Sequence, residues 1–162
     1  MGFSKDFLWG AATSSAQIEG GYLEGGRTES IWDIAPEGKI KNGDNCHITC
    51  DHYHRMHEDV ALMREMGLKS YRFSVSWSRI IPREGEINSE GIKFYSDLID
   101  ELIKNGIEPL LTVYHWDMPT WVYKKQSAHL RSFRFFAADQ QSVIAHARTA
   151  FIRDHLIVQR FQ

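Results

Sequence analysis

Three polar or aromatic side chains that follow apolar runs of the sequence have the chemistry that a sugar surface requires. Gln17 carries an amide that both donates and accepts hydrogen bonds, and His115 carries two ring nitrogens. Trp116 carries a flat apolar ring that suits the C–H face of a sugar ring. The three residue types together indicate a carbohydrate pocket. Aromatic residues at the ends of strands also serve as packing residues, so both interpretations stay open on these residues alone.

Arg72 is a charged residue inside an otherwise apolar, alternating run. In a parallel strand that is covered on both faces, its guanidinium group must point into a crowded and partly desolvated interior, where a charge needs an opposite partner. One interpretation makes that partner a structural carboxylate that locks the fold. The other makes it an active-site carboxylate whose ionised form Arg72 favours.

The elements that must position these residues are visible as changes in hydrophobic period. Residues 7–13 form a short apolar run that ends in small residues, which is typical of a strand buried on both faces. From Asp51 onward, apolar residues recur at spacings of three and four, which predicts an amphipathic helix. We expect Asp51 to cap the start of this helix and Gly67 to end it in the left-handed conformation.

Two further strands and one helix follow. Residues 71–77 alternate with period two, which predicts a strand with polar side chains on one face and apolar side chains on the other. Residues 92–103 have a helical period that Asn105 and Gly106 close, and residues 107–114 form another strand-like apolar run. Strands that alternate with helices predict an α/β fold with a parallel sheet, either doubly wound or a (β/α)8 barrel. In both architectures ligands bind at the carboxyl ends of the strands.

Four blocks of the sequence carry a more specific signal. They are residues 7–20 (FLWGAATSSAQIEG), residues 51–60 (DHYHRMHEDV), residues 71–80 (YRFSVSWSRI) and residues 112–119 (TVYHWDMP). In content and order they resemble glycoside hydrolase family 1. The resemblance implies that the chain is about the first three βα units of a (β/α)8 TIM barrel, within an enzyme that hydrolyses β-glucosides or related β-glycosides with retention.

The resemblance also implies roles for individual residues. Gln17, His115 and Trp116 become contacts of the glycone sugar of a small-molecule β-glucoside, and Arg72 becomes the neighbour of the catalytic nucleophile. The loop at residues 27–33 (RTESIWD) is closer to the β-glucosidases of the family than to its phospho-β-glucosidases. No cofactor is implied.

The two catalytic acids of a retaining glycosidase are not expected in this chain. Such enzymes place two carboxyl groups about 5 to 5.5 Å apart. Members of the family take both from later strands, in Asn-Glu-Pro and Glu-Asn-Gly contexts, and neither string occurs here, where Glu108 is the last glutamate. A full barrel typically takes about 250 residues. We therefore predict that the chain by itself does not turn over substrate, and assign no catalytic residue.

The composition changes near residue 126. We expect residues 1–125 to form the N-terminal part of the barrel and residues 126–162 to be a tail without family resemblance, because the tail has five arginines but neither glutamate nor lysine. One hypothesis for the tail is translation in a wrong reading frame. The alternative is a C-terminal helix with one apolar stripe, formed by Ile144, Ala147, Phe151 and Val158.

Charge and composition limit the remaining functions. The formal net charge of -2 comes from 21 acidic and 19 basic residues, which favours a neutral substrate over nucleic acid or an anionic membrane. Without a signal-like start or an apolar run of about 18 residues, we expect a cytoplasmic protein with no membrane partner. The two cysteines are expected to be free thiols.

Metal binding and sugar binding without hydrolysis are the two alternatives to sugar hydrolysis. Cysteine and histidine residues cluster near the first helix, which raises the possibility of zinc; they are Cys46, Cys50, His52, His54 and His57. No metal is expected, because structural zinc needs four convergent ligands and a second paired unit is missing. A non-catalytic sugar-binding fragment is the other alternative. It is disfavoured on the ground that an incomplete barrel holds its binding groups loosely.

Overall fold

The protein folds around one parallel β-sheet. A computed structural model describes residues 2–34, 39–128 and 157–159, and within these it has four strands in the order β1-β2-β3-β4. The strands are β1 (Gly10–Ala12), β2 (Ser70–Ser74), β3 (Glu108–Thr112) and β4 (Ile157–Gln159), and each neighbouring pair is parallel. The predicted α/β class with parallel strand pairing is therefore confirmed.

Helices separate the strands along the chain. They are α1 (Ser15–Ile18), α2 (His52–Glu65), α3 (Trp77–Ile80), α4 (Ser89–Lys104) and α5 (Thr120–Ala128), with one 3₁₀ turn at Lys41–Gly43. Repetition of strand and helix with parallel pairing is the pattern of a (β/α)8 barrel, of which this sheet is a part.

The register of β2 and β3 assigns their side chains to two faces. Tyr71, Phe73 and Leu111 belong to one face, and all three lie in the apolar core with Met56 of α2 and Leu98 of α4. The opposite face is mainly polar, with Ser70, Arg72 and Ser74 of β2 and Glu108 and Thr112 of β3, and Leu110 is its apolar member. The predicted alternation of residues 71–77 is confirmed for the strand portion, and it leaves the polar face for a site.

The ends of the helices agree with the sequence in part. Gly67 has φ 77° and ends α2 in the predicted left-handed conformation, and Gly106, which was predicted to close α4, has φ 72°. Asp51 is the N-cap residue of α2, as expected, but its side chain makes no capping hydrogen bond. Its φ is 57°, and its Oδ1 is 2.6 Å from Nδ1 of His54, which takes the carboxylate away from the helix amides.

The prediction that the first strand is buried on both faces is also wrong. All three residues of β1 are exposed, because β1 pairs with β2 and no other described strand. The strand begins only at Gly10, so the large apolar residues of the run lie before it. There Phe7 and Trp9 pack against Phe3 with ring centroids 4.5 to 4.9 Å apart.

A fourth strand lies in the tail. β4 pairs with β3 in the register Leu110↔Ile157, Leu111↔Val158 and Thr112↔Gln159. Val158 thus belongs to a strand and not to the helical stripe that the sequence predicts. The other residues of that stripe lie outside the described residues, and the reading-frame hypothesis stays a prediction.

Among the described residues, no helix combines the length and apolar character that a membrane span requires. The cytoplasmic location stays a prediction.

The close packing of α3 against α4 can be tested by substitution of Gly91. A Cβ atom at Gly91 of α4 would lie 2.5 Å from the carbonyl oxygen of Arg79. Glycine to alanine in a helix normally stabilises by about 1 kcal/mol. Here we expect Gly91→Ala to lower the free energy of unfolding by about 2 kcal/mol, because the backbone of α3 must move. Urea unfolding followed by circular dichroism measures the change.

Lys93→Ala is the matched control on the same helix. Lys93 is exposed and bonds only to Asp97 among the contacts described for it, so its replacement is expected to change stability by less than about 0.5 kcal/mol. Equal stability of the Gly91→Ala and wild-type proteins would contradict the close α3–α4 packing.

Candidate functional site

The candidate site lies where β1, β2 and β3 end. Gln17 is on α1, directly after β1, and His115 and Trp116 lie in the turn after β3. Because the strands are parallel, the structure brings all three predicted sugar-binding residues to one edge of the sheet. Arg72 is on the central strand β2, on its polar face. The site residues predicted from the sequence are therefore on the same side of the molecule.

Gln17 and Trp116 are the exposed members of the group. The Oε1 atom of Gln17 accepts a hydrogen bond of 2.8 Å from the hydroxyl of Ser14, which orients the amide and leaves its NH₂ group as a donor. The residue Trp116 is 65% exposed, and its ring centroid is 6.2 Å from that of Tyr114. An exposed indole and an oriented amide at the same edge of the sheet are groups that suit a sugar ring.

The backbone of Trp116 is in an unusual conformation. Its φ is 64°, in the left-handed region that bulky residues rarely adopt. Such a conformation costs on the order of 1 kcal/mol and persists only where the surroundings fix it. The outward position of the indole is thus held by the neighbouring turn and is not an intrinsic preference of the residue.

His115 is half-buried between these exposed residues and Arg72. Burial lowers the pKa of the imidazole below its usual 6.5, and the positive charge of Arg72 lowers it further. The ring is therefore neutral at pH 7. A neutral imidazole has one nitrogen that donates and one that accepts, which matches the two roles of a sugar hydroxyl.

Arg72 joins the ends of three strands. Its Nε donates to the hydroxyl of Thr112 on β3 at 2.6 Å, and its Nη1 donates to the carbonyl oxygen of Thr13, after β1, at 3.3 Å. These two hydrogen bonds hold the half-buried guanidinium group across the ends of the strands. Its role beside a catalytic nucleophile stays a prediction.

Asp117 is a buried carboxyl group whose position the sequence does not reveal. It is 2% exposed, and its Oδ2 accepts a hydrogen bond of 2.9 Å from the hydroxyl of Ser15. The hydroxyl of Ser74, at the end of β2, donates to the Ser15 oxygen at 3.3 Å and accepts from the Ser15 amide at 2.9 Å. These contacts link the turns after β1 and β3 through the end of β2.

The charge of Asp117 is unfavourable where it lies. The pKa of Asp117 is raised from 3.8 to about 6, chiefly by burial and also by the nearby Glu19, while the Ser15 hydroxyl and the backbone amides of Asp117 and His115 lower it. The other carboxyl oxygen, Oδ1, is buried and makes no hydrogen bond of ordinary geometry among the described residues. The sequence places Asp117 in the third-strand motif but gives no sign of this burial.

A second buried pair, Glu19 and Arg79, anchors the long loop between α1 and α2. The Nε of Arg79 is 3.4 Å from Glu19 Oε2, and the Tyr95 hydroxyl donates to Glu19 Oε1 at 2.5 Å. The guanidinium carbon of Arg79 is 3.9 Å from the ring centroid of Tyr53. Its Nη1 also donates to the carbonyl oxygen of Glu24 at 3.0 Å, which fixes the loop backbone.

The loop at residues 27–33 packs next to the turn that carries Trp116. Arg27 and Asp33 form a buried ion pair of 2.8 Å, and the amide and hydroxyl of Ser30 also donate to Asp33. Ser30 forms an isolated antiparallel bridge with Pro119. The loop thus supports the turn after β3 from outside.

The histidine residues near α2 contact carboxylates, and the cysteines nearby do not join them in a cluster. His52 lies 2.6 Å from Asp59, and Nε2 of His54 lies 2.9 Å from Glu24. Cys46 and Cys50 are free thiols, as expected. Within the described ranges, no group of three or more His, Cys, Asp or Glu side chains is arranged to hold a metal ion.

Comparison with known proteins adds the family. The model of glycosyl hydrolase family 1, the family that the motifs resemble, matches residues 1–131. The aryl-phospho-β-D-glucosidase BglC of Bacillus subtilis is 57% identical over 120 residues, and β-glucosidase A of Acetivibrio thermocellus is 52% identical over 120 residues. Each alignment covers 72% of this chain, but only 25% and 27% of the relatives. The chain spans about a quarter of their length.

Solved structures extend the similarity along the chain. A β-glucosidase from Exiguobacterium marinum covers 98% of this chain at 40% identity, with a TM-score of 0.87, while 36% of that chain is covered. For the β-glucosidase from Thermotoga maritima, the identity is 46% where 76% of this chain is covered and 38% where 99% is covered. The longer alignment, with a TM-score of 0.88, adds residues that share few identities.

The buried carboxyl of Asp117 generates a test by pH. Its folded pKa of about 6 exceeds the usual 3.8, so between these values the folded protein holds a proton that the unfolded chain has lost. The wild type therefore loses stability as pH rises from about 4 to about 6, relative to an Asp117→Asn variant that never ionises. The difference between the two unfolding free energies is expected to change by up to about 3 kcal/mol.

Urea unfolding of both proteins at pH 4, 5, 6 and 7 measures this difference. The amide of the variant keeps the shape of the side chain. A difference in unfolding free energy that is the same at every pH therefore reflects changed hydrogen bonds, and only the part of the difference that varies with pH reports the charge of Asp117. A difference that does not vary with pH would show that Asp117 titrates normally.

Proposed function

Because this chain belongs to glycosyl hydrolase family 1, we propose that it supplies the sugar-recognising part of a site for the retaining hydrolysis of β-glucosides. The observation that carries the proposal is the convergence of Gln17, His115 and Trp116 at the carboxyl ends of β1 and β3, next to Arg72. Since the chain spans about a quarter of the relatives' length, the activity belongs to a larger barrel.

Each of the three side chains has a role in the proposal that its surroundings support. The exposed indole of Trp116 stacks on the C–H face of the glycone sugar. The neutral imidazole of His115 and the oriented amide of Gln17 exchange hydrogen bonds with its hydroxyls. A neutral, hydroxyl-rich ligand also fits the balanced charge of the chain better than nucleic acid does.

The role of Arg72 concerns the chemical step. Retention requires one carboxylic acid to protonate the leaving oxygen and one carboxylate to attack, about 5 to 5.5 Å apart. Arg72 presents a fixed cation on the polar face of the sheet, where it would keep an attacking carboxylate ionised. Both carboxyl groups would come from other strands of the barrel, because no glutamate follows Glu108 in this chain.

The substrate class includes plain β-glucosides. The two relatives named above differ in their substrates by name, one an aryl-phospho-β-D-glucosidase and one a β-glucosidase, yet their identities of 57% and 52% are similar. The loop at residues 27–33 resembles the β-glucosidases and forms a closed structure around the Arg27–Asp33 pair. Asp33 already compensates the charge of Arg27, so Arg27 is not left to pair with a phosphorylated sugar. This pairing favours a neutral glucoside as the substrate.

Sugar binding without hydrolysis is the activity that we propose for the chain by itself. An incomplete barrel is expected to hold its binding groups loosely, which would weaken sugar binding. The contacts of Arg72 with Thr13 and Thr112, and of Asp117 with Ser15, oppose this looseness because they join the strand ends through side chains.

A fluorescence titration tests sugar recognition. We expect methyl β-D-glucoside to quench the tryptophan emission of the chain saturably, with the affinity lowered about tenfold in His115→Ala, which loses hydrogen bonds to the sugar. Trp116→Ala is expected to lose most of the quenching. Trp9→Ala is the matched control, because Trp9 is also an exposed tryptophan but precedes β1, at the opposite end of the strand. Linear, non-saturable quenching, or equal affinities of wild type and His115→Ala, would contradict the proposal.

The chain alone is expected to release no nitrophenol from p-nitrophenyl β-D-glucoside above the buffer rate, since it has no pair of catalytic glutamates. A spectrophotometric assay of the purified 162-residue protein measures this. Hydrolysis that falls in His115→Ala in parallel with the affinity for the glucoside, at substrate concentrations below saturation, would show that the chain carries catalytic acids of its own and would contradict the prediction. Hydrolysis at equal rates in wild type and His115→Ala would come from a contaminating enzyme.

A further inference from the structure

We infer that Asp117 is a positioning residue, which fixes the turn carrying His115 and Trp116 to the turn carrying Gln17. The inference rests on the proposed function for its meaning, since it concerns the residues proposed to hold the sugar. It begins with one contact: the hydroxyl of Ser15 donates to Asp117 Oδ2 at 2.9 Å. Ser15 opens α1 two residues before Gln17, and Asp117 directly follows Trp116.

The contact is direct and buried on both sides. Ser15 and Asp117 are 4% and 2% exposed, so water does not compete for the hydrogen bond. Its two residues are 102 positions apart in the sequence, and they join the elements after β1 and β3, which are separated in the sheet by β2. Ser74, at the end of β2, bonds to Ser15 as well and completes the link across the sheet.

The neighbouring backbone shows why Trp116 depends on this link. Trp116 has φ 64°, a conformation that relaxes unless both flanking residues are fixed. Asp117 fixes the following side through its buried side chain. The next residue, Met118, accepts a backbone hydrogen bond of 2.9 Å from the amide of Ile31, which holds the turn to the loop at residues 27–33.

The link serves the position of the turns more than the stability of the fold. Asp117 is buried with a raised pKa, and its Oδ1 atom makes no hydrogen bond of ordinary geometry among the described residues, so its ionised form costs stability at neutral pH. The apolar core lies on the other face of the sheet, among Phe73, Leu98 and Leu111. Loss of the Ser15–Asp117 contact should therefore loosen the two turns and leave the core intact.

Hydrogen exchange measured by mass spectrometry tests the inference on the chain itself. We expect Asp117→Ala to accelerate amide exchange about tenfold in residues 114–118, through loss of a buried hydrogen bond, and to accelerate it equally in residues 13–18. Ser15→Ala is expected to accelerate exchange in the same two segments. The double variant is expected to show no further acceleration, because each replacement removes the same contact.

Two control variants separate positioning from general damage. Ser14→Ala removes a buried hydroxyl from the same turn, but that hydroxyl bonds to Gln17 and not to the turn after β3, so exchange in residues 114–118 should not change. Asp117→Asn keeps an acceptor oxygen for Ser15 and should restore most of the protection. Unchanged exchange in residues 114–118 of Ser15→Ala, or equal acceleration in α4 of Asp117→Ala, would overturn the inference.

The glucoside titration then relates the link to the sugar. If the wild type binds methyl β-D-glucoside, Asp117→Ala should weaken binding about tenfold, in parallel with the loss of protection, and Asp117→Asn should recover it. Equal affinity in Asp117→Ala with both turns loosened would overturn the inference while leaving the proposed function standing. If the wild type shows no saturable binding, the proposed function fails, and the exchange data alone decide whether Asp117 positions the turns.

Discussion

The candidate site depends on hydrogen bonds that join three parallel strands at their carboxyl ends. Arg72 on β2 donates to Thr112 on one side and to the Thr13 carbonyl on the other, and Asp117 binds Ser15 one step farther along. β1 has only three residues and all are exposed, so backbone pairing alone gives it few constraints. Side-chain contacts therefore decide where its following turn, and with it Gln17, lies.

One face of the sheet stabilises the fold, and the other carries the candidate site. The face toward α2 and α4 is apolar, and its contacts supply the burial that drives folding. The other face is polar and gains little from the hydrophobic effect, so its order comes from hydrogen bonds such as those of Arg72 and Ser74. The buried Glu19–Arg79 pair adds a fixed point for the long loop between α1 and α2. Polar groups can thus face a ligand without weakening the core.

Sequence periodicity predicted the features that depend on residues close together in the sequence. The alternation in residues 71–77 predicted the two faces of β2, and Gly67 and Gly106 ended their helices as expected. β1 was mispredicted because exposure depends on which strands lie beside it, and a run of apolar residues carries no information about that. Val158 in β4 pairs with Leu111, which is 47 positions earlier, and no local period reports such a pairing.

The sequence predicted three members of the candidate site but not its buried member. Gln17, His115 and Trp116 were proposed because amide, imidazole and indole groups after strands suit a sugar, and their role stays a prediction. The ordered motifs named the family that the match to residues 1–131 shows. The role of Asp117 was missed because it comes from Ser15, a residue that is distant in the sequence and chemically unremarkable alone. Hydrogen bonds between the ends of different strands can be identified only when the pairing register of the strands is known.

Asp117 also shows why a shifted pKa does not by itself identify a catalytic acid. A carboxyl group with a pKa of about 6 near the proposed sugar contacts has the property expected of a general acid. Yet its shift comes first from burial, and the oxygen that has a partner faces Ser15 inside the protein. A general acid must reach the leaving oxygen, within about 2.6 to 3.2 Å or through one water molecule. Glu19 is likewise buried and bonded to Tyr95 and Arg79. The acids nearest to the proposed sugar contacts are therefore suited to holding the turns in place, and the proposed retaining mechanism needs two further carboxyl groups from outside this part of the sheet.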